Sequence, residues 1–152
     1  MAILSGEGGW AGIPAHPPHP KRSDNNRSVT VTRLYRAVGQ RELDLIEATD
    51  WTRFPPRLDW QPIFYPVLTE DYATGIARDW NTKDQENGSV GYVTAFNVDT
   101  AFLSRYEVHD VGGRELQEYW IPAEELEEFN SDIVGPIEVL SELRGAPPVR
   151  VR

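Results

Sequence analysis

Val90-Gly91-Tyr92-Val93-Thr94-Ala95-Phe96-Asn97-Val98 alternates cleanly, with Tyr92, Thr94, Phe96 and Val98 on one side and Val93, Ala95 and Asn97 on the other. A period of two carried by β-branched and aromatic residues predicts a strand. Upstream, Val29-Thr30-Val31-Thr32-Arg33-Leu34-Tyr35-Arg36 is rich in β-branched residues and predicts another. Arg41 to Ala48 follows as a short helix, with Leu43 and Ile46 on its inner face. Pro55, Pro56, Pro62 and Pro66 make residues 50–66 mostly loop, with one short strand around Ile63-Phe64-Tyr65. The clearest helix starts at Thr69, a good N-cap, with Glu70 and Asp71 in its first turn and Tyr72, Ile76 and Trp80 recurring every four residues.

Downstream of the polar loop Asn81 to Ser89, further strands are expected at Tyr106 to His109 and Glu118 to Ile121, joined by a turn at Gly112-Gly113. The alternation in the second of these places Trp120 in the core. Pro122 can open a short helix through Phe129, anchored by Leu126 and Phe129. A last strand, Ile137 to Leu140, follows Gly135-Pro136. Helices come early and most strands late, so the expected class is α+β rather than alternating α/β.

With 152 residues, the chain has the length of one domain. Residues 1–28 hold Gly6, Gly8, Gly9, Gly12, Pro14, Pro17, Pro18 and Pro20 and few apolar side chains, which predicts a disordered arm. Residues 144–152, with Pro147-Pro148, read as a flexible tail, leaving residues 29–143 as the α+β domain. No run approaches the roughly 18 apolar residues of a membrane-spanning helix. Met1 to Gly12 carries neither the basic start nor the apolar stretch of a secretory signal. The expectation is a soluble protein, cytoplasmic or a delivered effector. The chain has 24 acidic against 15 basic side chains, a net charge of −9, which disfavours nucleic acid and anionic membranes as partners.

The absence of cysteine excludes thiol catalysis and thiolate zinc sites. The histidines are His16, His19 and His109, without HExxH spacing, so no metal site is expected. No GxSxG elbow or phosphate-cradling GxxxxGK[ST] is present. His109 beside Asp110 reads as an ordinary surface histidine, because adjacent strand residues point to opposite faces. From Glu115 to Glu142 there are nine acidic residues and no lysine or arginine. Glu124, Glu125, Glu127 and Glu128 fit a solvated helix face. Glu118 differs, because it opens an aromatic strand where a carboxylate needs a partner or a purpose. Arg36, at the end of an apolar strand beside Tyr35, is the natural counterpart, as a structural ion pair or as a catalytic pair.

Leu34-Tyr35-Arg36-Ala37, the short helix and the Pro-rich loop resemble the opening of ADP-ribosyltransferase domains of the bacterial-toxin type. Those families run Arg, then a Ser/Thr motif, then Glu, on split, mostly antiparallel sheets. The matching positions are Arg36, Thr69 ahead of Tyr72-Ala73, and Glu118 in Leu116-Gln117-Glu118-Tyr119-Trp120, with Thr94 as a second candidate for the middle motif. The resemblance implies that NAD is consumed, by ADP-ribose transfer or by hydrolysis, as in a toxin or effector. Arg36 would hold the NAD phosphates, Thr69 would sit near the ribose or steady Glu118, and Glu118 would stabilise the oxocarbenium-like transition state. Tyr35, Tyr65 and Tyr72 would join Arg36 in binding NAD, with Tyr65 or Tyr72 stacked on the nicotinamide ring. Leu116 stands where arginine-modifying members carry Gln or Glu, which points away from arginine as acceptor. The other reading is a non-catalytic immunity or adaptor protein whose acidic face, residues 115–142, captures a basic partner.

Overall fold

The computed structural model describes residues 29–113 and 115–145. Contacts divide the chain after Thr30, and the unit beginning at Val31 carries every element named below. The arm expected over residues 1–28 lies outside the described residues, as does the tail beyond Gly145.

The alternating stretch is the middle strand of the molecule. β3 (Val90–Asp99) lies between β1 (Val31–Val38) and β7 (Ile133–Arg144), antiparallel to both. Every residue of β3 except Asn97 is buried, because both faces of the sheet are covered. Leu34, Val38, Tyr92, Phe96 and Val98 enter the main core with Phe54, Phe64 and Phe129. On the other face Tyr35, Ala37 and Val93 pack with Val67, Ala73 and Ala77. The division of β3 into two faces is the one its sequence predicts. β7 starts before Ile137 and runs through Gly135-Pro136 to Arg144, so the ordered domain extends past Leu143.

α1 (Gln40–Glu47) buries Leu43 and Ile46, as its spacing predicts. α2 (Glu70–Asp79) begins as expected, the Thr69 hydroxyl accepting the Tyr72 N–H at 3.1 Å. Its inner line is not Tyr72-Ile76-Trp80. Ala73 and Ala77 are fully buried, Tyr72 and Ile76 flank them half-buried, and Trp80 caps the helix with 73% of its surface exposed. The small residues win the sheet side because α2 sits so close to β3. A Cβ added at Gly91 would lie 2.8 Å from the Ala77 and Asn81 Cβ atoms. Gly91→Ala is therefore expected to cost about 1–3 kcal/mol through overpacking, read as a lower urea midpoint.

Beyond β1 the sheet continues through one residue. Val67 bridges Tyr35 of β1 and Glu118 of β5 (Gln117–Tyr119), antiparallel to both. β5 in turn pairs with β4 (Val108–Asp110) across the Gly112-Gly113 turn. Tyr106, expected in that first strand, lies before it and packs on Phe102 at 5.5 Å between ring centroids. The expected strand Glu118 to Ile121 is broken at Trp120: β5 pairs with β4, while β6 (Ile121–Pro122) pairs with β2 (Ile63–Phe64). Tyr119 and Ile121 take the inward positions, so Trp120 faces out and is 42% exposed instead of core. A 3₁₀ turn, Ala123–Glu125, then leads into α4 (Leu126–Ser131), which buries Leu126 and Phe129. Between β3 and β4 the short α3 (Thr100–Leu103) buries Phe102 and Leu103. The result is an α+β domain with mostly antiparallel strands. Among the described residues no helix is long and apolar enough to cross a membrane.

Candidate functional site

Residues directly opposite in neighbouring strands project from the same face. The pairings Tyr35↔Val67, Val67↔Glu118 and His109↔Glu118 therefore set Tyr35, Val67, Glu118 and His109 in one row across the sheet. α2 covers part of that face and supplies Tyr72. The Tyr72 hydroxyl donates to Glu118 Oε1 at 2.6 Å, and the Trp120 indole Nε1–H donates to Glu118 Oε2 at 2.7 Å. Glu118 is only 9% exposed, so both oxygens of a buried carboxylate are held by side-chain donors.

The rings beyond it are open to solvent. His109 lies flat on Trp120, centroids 3.6 Å apart and planes 5° from parallel. Tyr65 meets Trp120 edge-on at 6.4 Å. Tyr65 and Trp120 are each about two-fifths exposed. Thr69 stands behind Tyr72: its hydroxyl caps α2 and donates to the Glu115 carbonyl at 3.2 Å, tying the helix start to the residues entering β5. It supports Glu118 at one remove, through Tyr72. Thr94 is fully buried and donates to the Arg36 carbonyl at 2.8 Å, which leaves Thr69 the better placed of the two threonines.

Burial, then the hydrogen bond to Glu118 and its charge, push the Tyr72 phenol up to about 12. The folded state thus holds this proton more tightly than the unfolded chain, whose tyrosine titrates near 10. That stabilisation is complete below pH 10 and disappears as pH rises to about 12. Tyr72→Phe is expected to lose about 1.5–3 kcal/mol at neutral pH, the worth of a hydrogen bond to a charged group. The wild-type advantage in urea midpoint should then shrink across pH 10 to 12.

Arg36 does not join Glu118. One position on from Tyr35, it projects from the opposite face of β1, with Leu34 and Val38. Its guanidinium lies 4.7 Å above the Phe64 ring. Nε and one terminal nitrogen grip the Glu42 carboxylate at 2.7 and 3.0 Å, in the bidentate geometry suited to Arg. The expected Arg36–Glu118 ion pair is replaced by Arg36–Glu42, because strand alternation separates the two by the thickness of the sheet. Of the residues singled out in the sequence, Glu118, Tyr35, Tyr65, Tyr72 and Thr69 come together, and Arg36 stands apart.

His109 and Trp120 belong to the row although the sequence reading left them out. The signal was the hairpin: pairing about Gly112-Gly113 puts His109 opposite Glu118, and alternation puts Trp120 on the same side. The acidic run disperses. Glu128, Glu138 and Glu142 pair with Arg105, Arg33 and Arg144, Glu125 accepts from the Tyr106 hydroxyl, and Glu118 and Asp132 are buried. A shallow groove of about 290 Å³ between α1 and residues 86–88 shares no lining residue with the row. Comparison with family models, with curated proteins and with solved structures returned no match.

Proposed function

We propose that the Glu118 row is the reaction centre of an ADP-ribosyltransferase-like domain that consumes NAD. The observation that carries this reading is a buried carboxylate fixed by Tyr72 and Trp120 at the edge of an open cluster of rings. A carboxylate offers about four lone-pair sites, so two donors leave room for a ribose hydroxyl. The charge is already oriented and shielded from water, which is what stabilisation of a developing cation requires. Tyr65, about two-fifths exposed beside Trp120, offers a face on which a nicotinamide ring can stack. In the reaction, the bond between the ribose carbon and the nicotinamide nitrogen breaks and its electron pair leaves with nicotinamide. Glu118 faces the oxocarbenium-like carbon, and water or an acceptor side chain adds to it and loses a proton.

The order Arg, Thr, Glu along the chain and the α+β class agree with this reading. Arg36, on the opposite face of β1 and bound to Glu42, does not pair with Glu118 and carries no part of this reading. The acidic-adaptor reading draws less from the geometry, because most of the acids from 115 to 142 are buried or already hold arginine or tyrosine. Nicotinamide release from NAD by the purified chain tests the proposal. Turnover that persists at the wild-type rate in Tyr72→Phe and Glu118→Gln would place the chemistry elsewhere, and turnover lost in both is expected.

A further inference from the structure

Hydrolysis or transfer at the Glu118 row sheds a proton from the incoming nucleophile. Glu118 is ill placed to take it, because Tyr72 and Trp120 each donate to one of its oxygens and its remaining lone pairs are needed for the ribose. The side chain beside it with the right chemistry is His109. On β4 it stands directly opposite Glu118, a relation that brings two Cβ atoms to about 4.5–5.5 Å. Its ring lies on Trp120, 3.6 Å between centroids, and the Trp120 indole is itself bound to Glu118.

The stack fixes the plane of the imidazole and leaves its nitrogen-bearing edge open. No described residue hydrogen-bonds either ring nitrogen. The ring is half-buried, between the exposed Val108 and Asp110. A neutral imidazole keeps one acceptor nitrogen, and histidine is the side chain that changes charge between about pH 5 and 8. The titratable groups around it are Glu118 on β5, Tyr72 on α2, Tyr65 beside β2 and the exposed Glu107 two residues upstream. Asp110 points to the other face and accepts the Gly113 N–H at 3.1 Å.

We infer that His109 is the general base of the Glu118 site, taking the proton of water or another hydroxyl nucleophile as it adds to the ribose carbon. The inference rests on the Glu118 reading and adds to it the class of acceptor, an oxygen that must lose a proton. The bond from the ribose carbon to the nicotinamide nitrogen breaks, and its electron pair leaves on nicotinamide. A lone pair of the hydroxyl oxygen forms the new bond, and the O–H proton passes to the open His109 nitrogen and then to solvent. Glu118, next to it, stabilises the imidazolium that forms.

The test is nicotinamide release from NAD in water as a function of pH, in wild type, Glu118→Gln, His109→Phe and His109→Ala. Phenylalanine keeps a ring on Trp120 and removes the proton acceptor, so loss of packing is held apart from loss of the base. His109→Phe is expected to lower turnover on the order of a hundredfold, with little change in KM, and to remove the acid limb of the wild-type profile. Added imidazole should restore part of the rate in His109→Ala, where the place of the ring is vacant. Turnover lost in Glu118→Gln but kept at the wild-type rate in His109→Phe would overturn the inference and leave the Glu118 reading standing. So would a lowered rate in His109→Phe that keeps the acid limb. A wild-type chain that releases no nicotinamide would overturn the reading and the inference together. Where His109→Phe does not fold, the alanine variant decides, and a rate that imidazole leaves unmoved would overturn the base.

Discussion

Glu118→Gln is expected to lower nicotinamide release from NAD by at least on the order of a hundredfold, the scale on which a single preorganised electrostatic group acts. The substitution keeps the size of the side chain and removes its charge. It also changes the hydrogen bonding. Tyr72 and Trp120 both donate to the carboxylate, one to each oxygen. An amide accepts only through its carbonyl oxygen, so one of the two donors faces an NH₂ group. A stability loss of about 1–3 kcal/mol should accompany the change, from that unsatisfied donor in a buried site. The two effects are separable: circular dichroism and a urea titration at the assay temperature show whether the variant is folded where its turnover is read. A folded variant with wild-type turnover would remove Glu118 from the chemistry.

The largest structural effect is expected from Phe96→Ala. Phe96 is fully buried in the central strand, paired with Leu34 and packed against Phe54 at 4.8 Å and Phe129 at 6.1 Å between ring centroids. Removing the ring leaves a cavity that rigid strands on either side cannot close, at a cost of roughly 3–5 kcal/mol. Against a total stability of about 5–15 kcal/mol, that is a large fraction of what holds the domain folded. Trp80→Ala is the control. Trp80 is larger but 73% exposed, and its loss should stay within about 0.5 kcal/mol. Equal losses for the two variants would contradict the placement of the core.

The parts of the fold that depend on local spacing were legible. The two faces of β3 follow from its own alternation, and the start of α2 follows from Thr69 with Glu70 and Asp71 behind it. Leu126 and Phe129 could be read as anchors of α4 for the same reason. What was hidden depends on pairing between distant segments. Whether Arg36 or Tyr35 shares a face with Glu118 is decided by Val67, a single bridging residue between two strands that carries no pattern of its own. A shift of one position exchanges the two side chains. Trp120 illustrates the same parity in reverse: with Tyr119 and Ile121 inward, the largest ring of the segment turns out. In α2 hydrophobic size misled, because the close approach at Gly91 selects Ala73 and Ala77 over Tyr72 and Ile76.

The most direct measurement of the central claim is NAD binding followed through the Trp120 indole N–H by ¹⁵N NMR, with His109 observed in the same titration. That N–H donates to Glu118 and its ring lies under His109, so any ligand seated on the row must disturb both. Saturable movement of the Trp120 and His109 signals together, abolished in Glu118→Gln, is the result the Glu118 site predicts. NAD that leaves both signals unmoved, or that shifts only exposed tryptophans such as Trp60 and Trp80, would contradict it.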